Sequence, residues 1–119
     1  MKRDMELVRD LLLYCERVPD FDFHATHISG PQFDSRERYE LIGHLMLLES
    51  GGFLAKEGPG RYRMTWEGHE FLDTVRDPEV WQKTKQGADR VGSWSVKLLA
   101  DLASGFVRAK AADLGLPLA

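Results

Sequence analysis

Apolar residues return at three- and four-residue spacing through Met5, Val8, Leu11, Leu12 and Cys15, which places them on one face of a helix that closes near the Val18-Pro19 step. Asp4 stands where an N-cap belongs, with Glu6 in the positively polarised first turn. From Phe21 to Phe33 the chain alternates weakly and then meets Gly30-Pro31, a pattern for a short strand followed by a loop. A second helix opens at Asp34 or Ser35, carries Leu41, Ile42, Leu45 and Leu48 as its apolar stripe, and stops at Gly51-Gly52. Phe53-Leu54-Ala55 and Arg61-Tyr62-Arg63-Met64 flank a Gly/Pro turn. They predict a β-hairpin with Tyr62 and Met64 facing in and Arg61 and Arg63 facing out. Thr65 caps a third helix, with Phe71, Leu72 and Val75 buried, that ends around Asp77-Pro78.

Beyond Pro78 the pattern is helical throughout. Trp81, Ala88 and Val91 make a narrow apolar line, Gly92 interrupts it, and Val96, Leu99, Leu102, Ala103 and Phe106 make a wider stripe that needs a second surface to cover it. The order helix, short strand, helix, Gly-Gly, strand, turn, strand, helix is that of a winged helix-turn-helix. The expected fold class is therefore α+β, mainly α: a winged-helix domain with a two-stranded wing over residues 1–77 and a C-terminal helical extension over 78–119. Only one clear helix separates the first strand from the hairpin. The first helix of a helix-turn-helix pair must then be short, lie within His24 to Gln32, or be absent. The extension either packs on the domain or pairs two copies through Trp94, Leu98, Leu99, Leu102 and Phe106, with small Ala103 and Gly105 allowing close approach.

Composition narrows the class. With 119 residues and 43% hydrophobic positions, one domain can bury its own core. A single cysteine excludes a disulfide framework. The charged start and the lack of a long apolar run predict a cytoplasmic chain with no membrane partner. Sixteen basic against nineteen acidic residues give −3, whereas nucleic-acid binders usually carry a basic excess.

Candidate chemistry is sparse. His24 and His27, with Asp20 and Asp22 nearby, offer metal-ligand atoms without a third histidine at ligand spacing, so a polar loop is the better account and no metal or cofactor is expected. His69 with Glu67 and Glu70 spreads around a helix, which suits a structural hydrogen bond better than acid–base catalysis. Cys15 on an apolar stripe predicts an inert buried thiol. Gly58-Pro-Gly60 lacks the lysine and helix start of a phosphate loop. Trp66, Trp81 and Trp94, at helix starts and on apolar stripes, point to core packing. A non-enzymatic protein is expected.

Four strings carry a family resemblance: the opening MKRDMELVRDLLL, Glu40-Leu-Ile-Gly-His-Leu-Met-Leu-Leu-Glu-Ser-Gly-Gly-Phe-Leu54, Met64-Thr-Trp-Glu-Gly-His-Glu-Phe-Leu-Asp-Thr-Val-Arg-Asp77, and Trp81-Gln-Lys-Thr-Lys85 with Val91-Gly-Ser-Trp-Ser-Val96. Together they resemble the DUF2513 family of small bacterial and phage proteins over nearly the whole chain. The resemblance implies a winged-helix fold and a setting often in prophages or other mobile elements, and brings no established activity. Gly43 and Met46 depart from the bulky residue and the lysine common at those places.

The sequence favours the first of two functions and keeps the second as its alternative. One is a sequence-specific regulator on double-stranded DNA, with the Ser35–Glu49 helix in the major groove and Arg36, Arg38, Tyr39, His44, Lys56, Arg61 and Arg63 on DNA. The other is a winged-helix interaction module that binds a protein through the Met46/Leu47 helix face or the C-terminal helix. Charge weighs on the choice. Between Asp34 and Met64 the cations Arg36, Arg38, Lys56, Arg61 and Arg63 face Asp34, Glu37, Glu40, Glu49 and Glu57, for a net of zero. DNA binding requires that folding gather the cations and set the carboxylates aside. Interleaved charges favour the protein partner.

Overall fold

The structure is a computed structural model that describes residues 1–117. Among these residues the chain is α+β and mainly helical, with five α-helices and one three-stranded antiparallel sheet. It divides into two compact units, Met1–Leu72 and Asp73–Ala119. The division falls inside the third helix, a few residues before the Asp77-Pro78 step at which the sequence places its boundary. No helix among the described residues is long and apolar enough to cross a membrane.

In the first unit, α1 (Met5–Arg17) begins at the expected cap, where Asp4 Oδ1 accepts from the backbone N–H of Glu6 (2.9 Å) and Leu7 (3.2 Å). Its apolar face is buried from Met5 to Cys15. The chain turns extended at Val18, as the following proline requires. Strand β1 is only Phe23–His24. The stretch between it and the next helix holds two single 3-10 turns, Ala25–His27 and Pro31–Phe33, in the place of a full helix. Tyr14 organises this stretch: its ring meets Phe23 and Phe33 edge-on, and its hydroxyl donates to the carbonyl of His27 (2.9 Å).

Helix α2 (Arg38–Ser50) starts later than Asp34 or Ser35, because backbone bonds from Asp34 to Pro31 and from Arg36 to Phe33 keep residues 34–36 in turns. Glu40 Oε1 accepts from the N–H of Glu37 (3.2 Å) at its start. Its end is a two-glycine stop: Gly52, at φ 85°, donates to Glu49 O, and Phe53 donates to Leu48 O.

Strands β2 (Leu54–Gly58) and β3 (Arg61–Met64) form the expected hairpin, with a bulge between Lys56 and Gly58. β3 lies in the middle of the sheet, pairing Phe23 with Tyr62 on one side and Leu54 with Met64 on the other. Helix α3 (Trp66–Val75) is capped by Thr65, whose Oγ1 accepts from Gly68 N (3.1 Å) and donates to Gly52 O (2.6 Å). Gly68 lets α3 begin hard against the two-glycine turn, since a Cβ there would stand 2.4 Å from Phe53 O. Phe53 stacks on Phe71, centroids 5.1 Å apart. Trp66 does not join the core: it is 75% exposed at the helix start.

In the second unit, α4 (Pro78–Val91) is capped by Asp77, whose Oδ2 accepts from Val80 N (3.0 Å), and ends at left-handed Gly92. Ser95 Oγ caps α5 (Val96–Asp113) by accepting from Leu98 N (3.2 Å). The two helices pack together, with Leu102 against Gly87 and Lys110 Nζ reaching Asp77 (3.0 Å), so they run antiparallel. Trp81 and Ala88 are buried as the sequence pattern requires. Val91, placed on the same line, is exposed because the helix ends there.

Candidate interaction surface

Helix α2 carries apolar residues on more than one face, Leu41, Leu45 and Leu48 on one and Ile42, Met46 and Leu47 on another, so its polar and apolar sides are poorly separated. Helices of that kind are normally covered on each apolar side. Here one side is covered: Leu41, His44, Leu45 and Leu48 are buried where α2 meets α1 and β2. The other side is open. Tyr39, Ile42 and Met46, three and four residues apart and thus on one face, are 65%, 36% and 58% exposed. Ile42, assigned to the buried stripe by its spacing, therefore faces outward; α1 and the sheet select the face one step round the helix. Leu47 borders the same surface. Met1 completes it, with its sulfur 2.6 Å from the position a Cβ would take on Gly43.

His44 is the clearest correction among the expected DNA contacts. Its side chain is turned into the core, 1% exposed. Nε2 lies 2.9 Å from the backbone N of Asp4 and Nδ1 lies 2.8 Å from the carbonyl oxygen of Glu40. The first partner can only donate and the second can only accept, so Nδ1 carries the proton and Nε2 is the acceptor. The imidazole thus joins α2 to the first turn of α1.

Four of the five cations are committed to partners within the fold. Arg36 Nη1 donates to Asp4 Oδ2 (2.7 Å) and Glu40 Oε2 (3.5 Å), which makes it a clamp between the start of α1 and α2. Burial pushes the Asp4 carboxyl up, but Arg36 and the N–H groups of Leu7 and Glu6 outweigh it and hold the group below its ordinary range. The same bond to Asp4 raises Arg36. Arg38 Nη2 donates to the carbonyl of Ala25 (3.0 Å). Arg61 grips Asp22 through two nitrogens (2.6 and 3.2 Å), and that bond lowers the carboxyl and raises the guanidinium. Arg63 bonds Glu57 and lies over the ring of Phe21, 5.7 Å from its centroid. Lys56 is exposed on the hairpin. Cations and carboxylates interleave, and no basic cluster forms among these residues.

The residues expected at a dimer contact divide. Leu99 is fully buried, and Leu102 packs on Gly87 of α4, so both serve α5's seat against α4. Trp94 Nε1 donates to Asp89 (3.2 Å). Leu98 and Phe106 are half-buried.

A cleft of about 200 Å3 opens beside Cys15, Phe21, Met64 and His69. Burial pushes the Cys15 thiol up to about 12, so it supplies no thiolate near neutrality. The rings of His24 and His27 are 5.9 Å apart, and His24 Nδ1 is shared with Thr26 in the local turn. Among the described residues no group of three or more His, Cys, Asp or Glu side chains could hold a metal ion.

Over the described residues these features define a small, mainly helical α+β protein with a cluster of apolar side chains left open on α2. The chain belongs to the DUF2513 family, described as a hypothetical protein, whose model matches residues 2–94. The match runs through α1 to α4 and ends at Trp94, ahead of α5. An uncharacterized protein of Haemophilus influenzae is 29% identical over 93 residues, 71% of this chain and 76% of that protein. No solved structure matches.

Proposed function

We propose that the first unit is a winged helix working as a non-enzymatic protein-interaction module, with the outer face of α2 as the docking surface. The strand order β1-β3-β2, with α1 before it and α2 leading into the hairpin, supports the fold assignment. One observation carries the function: on the helix face that a DNA reader presents to the major groove, the open side chains are Tyr39, Ile42 and Met46. Phosphate contacts from free cations supply most DNA affinity. Here Arg36, Arg61 and Arg63 are neutralised by Asp4, Glu40, Asp22 and Glu57. Releasing them costs ion pairs before any phosphate is gained. An apolar protein surface requires no such exchange and gains from burying tyrosine and methionine.

The test is to place a photoreactive phenylalanine analogue at Tyr39 and irradiate living cells. Adducts that protease destroys and nuclease leaves intact support the module. Nuclease-sensitive adducts, together with duplex binding that weakens steeply with salt, overturn it and return the helix to the DNA groove.

A further inference from the structure

We infer that the occupant of the α2 face is a second copy of this chain, docked antiparallel about a two-fold axis near Gly43; this rests on the docking face proposed above. The argument begins with two charges that break the local rules of a helix. Arg38 is the first residue of α2 and Glu49 is next to last, while the last turn holds no basic residue. A cation at the positive end and an anion at the negative end both oppose the helix dipole. Such local conflicts are tolerated where a partner resolves them.

The geometry of the helix says which partner does so. Eleven residues make just over three turns, so Arg38 and Glu49 lie on one line along the helix, about 16 Å apart, at the same edge of the apolar stripe. A two-fold axis perpendicular to the helix and lying in the interface keeps that edge and reverses its direction. It sets Arg38 of each copy against Glu49 of the other, and each charge then sits at the end of the partner helix that favours it. The same operation brings Tyr39 to within about 3 Å, along the helix, of the level of the partner's Met46, within reach of both long side chains, and places the two Ile42 side chains beside the axis. A C2 contact must be self-complementary in this way, with residue i meeting j and j meeting i.

At the axis stands Gly43, the small residue that lets two helices approach, with only the flexible end of Met1 above it. Arg38 is already oriented, since the bond to Ala25 O holds one of its nitrogens. Size sets the strength. A face about 20 Å long and about 10 Å wide buries well under the ~800 Å2 per partner of a standard interface, so the dimer is concentration-dependent and not obligate.

Sedimentation of the full chain from about 10 µM to about 1 mM tests this. The expected mass rises from 13.6 kDa toward twice that value. Met46→Glu, at an exposed position that leaves the fold intact, should hold the chain monomeric throughout the range. Arg38→Glu and Glu49→Arg should each weaken association about tenfold or more, and the double exchange should restore it. Ile42→Cys should oxidise to a symmetric disulfide-linked dimer, with no competition from buried Cys15. A monomer at the highest concentration overturns the inference. So does a dimer that ignores Met46→Glu but is lost in Phe106→Glu, which would move the contact to α5. If irradiation from position 39 captures a different protein while the pure chain stays monomeric, the docking face stands and self-pairing falls; if it captures nucleic acid, both fall.

Discussion

Replacing Gly68 with alanine should destabilise the first unit, although alanine is the better helix former by about 1 kcal/mol. The added Cβ would stand 2.4 Å from the carbonyl oxygen of Phe53 and 2.7 Å from Met64 Cγ. Met64 can rotate away, but the Phe53 carbonyl is backbone, held by Thr65 N at 3.0 Å. Reaching ordinary contact means opening the junction by about 1 Å. That forfeits much of the Thr65–Phe53 bond, worth about 1 kcal/mol, and adds overpacking strain of about 1–3 kcal/mol. After the propensity gain, a net loss of about 1–3 kcal/mol remains. Gly105→Ala is the control, because nothing lies within 4 Å of its Cβ position in the middle of α5. It should gain the propensity term in full. Gly87→Ala, 3.2 Å from a Leu102 methyl that can give way, should fall near zero. Urea unfolding followed by circular dichroism, with slopes of about 1–3 kcal/mol/M, resolves these differences as midpoint shifts of about 0.3–1 M or more. If Gly68→Ala is as stable as Gly105→Ala, the close approach does not hold the start of α3 in place.

Three further outcomes follow from the joint between α1 and α2 and from the hairpin. His44→Ala should cost about 2–4 kcal/mol by the same assay, since it removes both imidazole bonds, strands the N–H of Asp4 and leaves a cavity; a loss under about 1 kcal/mol would mean water replaces the ring. Asp10 is pushed up, first by burial and then by Glu6, so its charged form is the costly one and stability drains away as pH rises through its folded value. Asp10→Asn should therefore be more stable than the parent at pH 7, with the gap closing toward low pH. Asp22 is held low by its bond to Arg61, so its contribution is present above the ordinary carboxylate range and is lost as pH falls through its depressed value. Asp22→Asn should flatten that acid limb, and an unchanged limb would assign acid unfolding to other carboxylates.

How much of this was legible beforehand depended on whether the period named a face. In α1 the apolar positions share one side, and Met5, Val8, Leu11, Leu12 and Cys15 all proved buried. Turn chemistry read equally well at the Gly51-Gly52 stop, at the Lys56–Arg61 turn of the hairpin and at the Asp4 and Thr65 caps. Helix α2 resisted because apolar residues occupy more than one of its faces: Leu41, Ile42, Leu45 and Leu48 fit one stripe, while packing buried His44 and exposed Ile42. Histidine looked like a surface donor only because its partners, Asp4 and Glu40, come from a neighbouring helix start and from the turn before it in α2. The arginines were misplaced for a related reason. Asp4 and Asp22 lie 32 and 39 positions away from Arg36 and Arg61, beyond any local charge count. Trp66 followed neither rule; nothing in the structure accounts for so large an exposed ring.

The lock made by Asp4, Arg36, Glu40 and His44 also constrains how this sequence can drift. Asp4 serves three masters at once: its carboxylate caps α1 and takes Arg36, and its backbone N–H needs the His44 ring. A change at position 44 therefore leaves position 4 deficient whatever residue stands there, because the need belongs to the main chain. Compensation has to come from another acceptor brought to the same spot. Among descendants of this chain the four positions should change as a set or hardly at all, while Tyr39 and Met46, one face away, answer only to what docks on them and can change without disturbing the fold beneath.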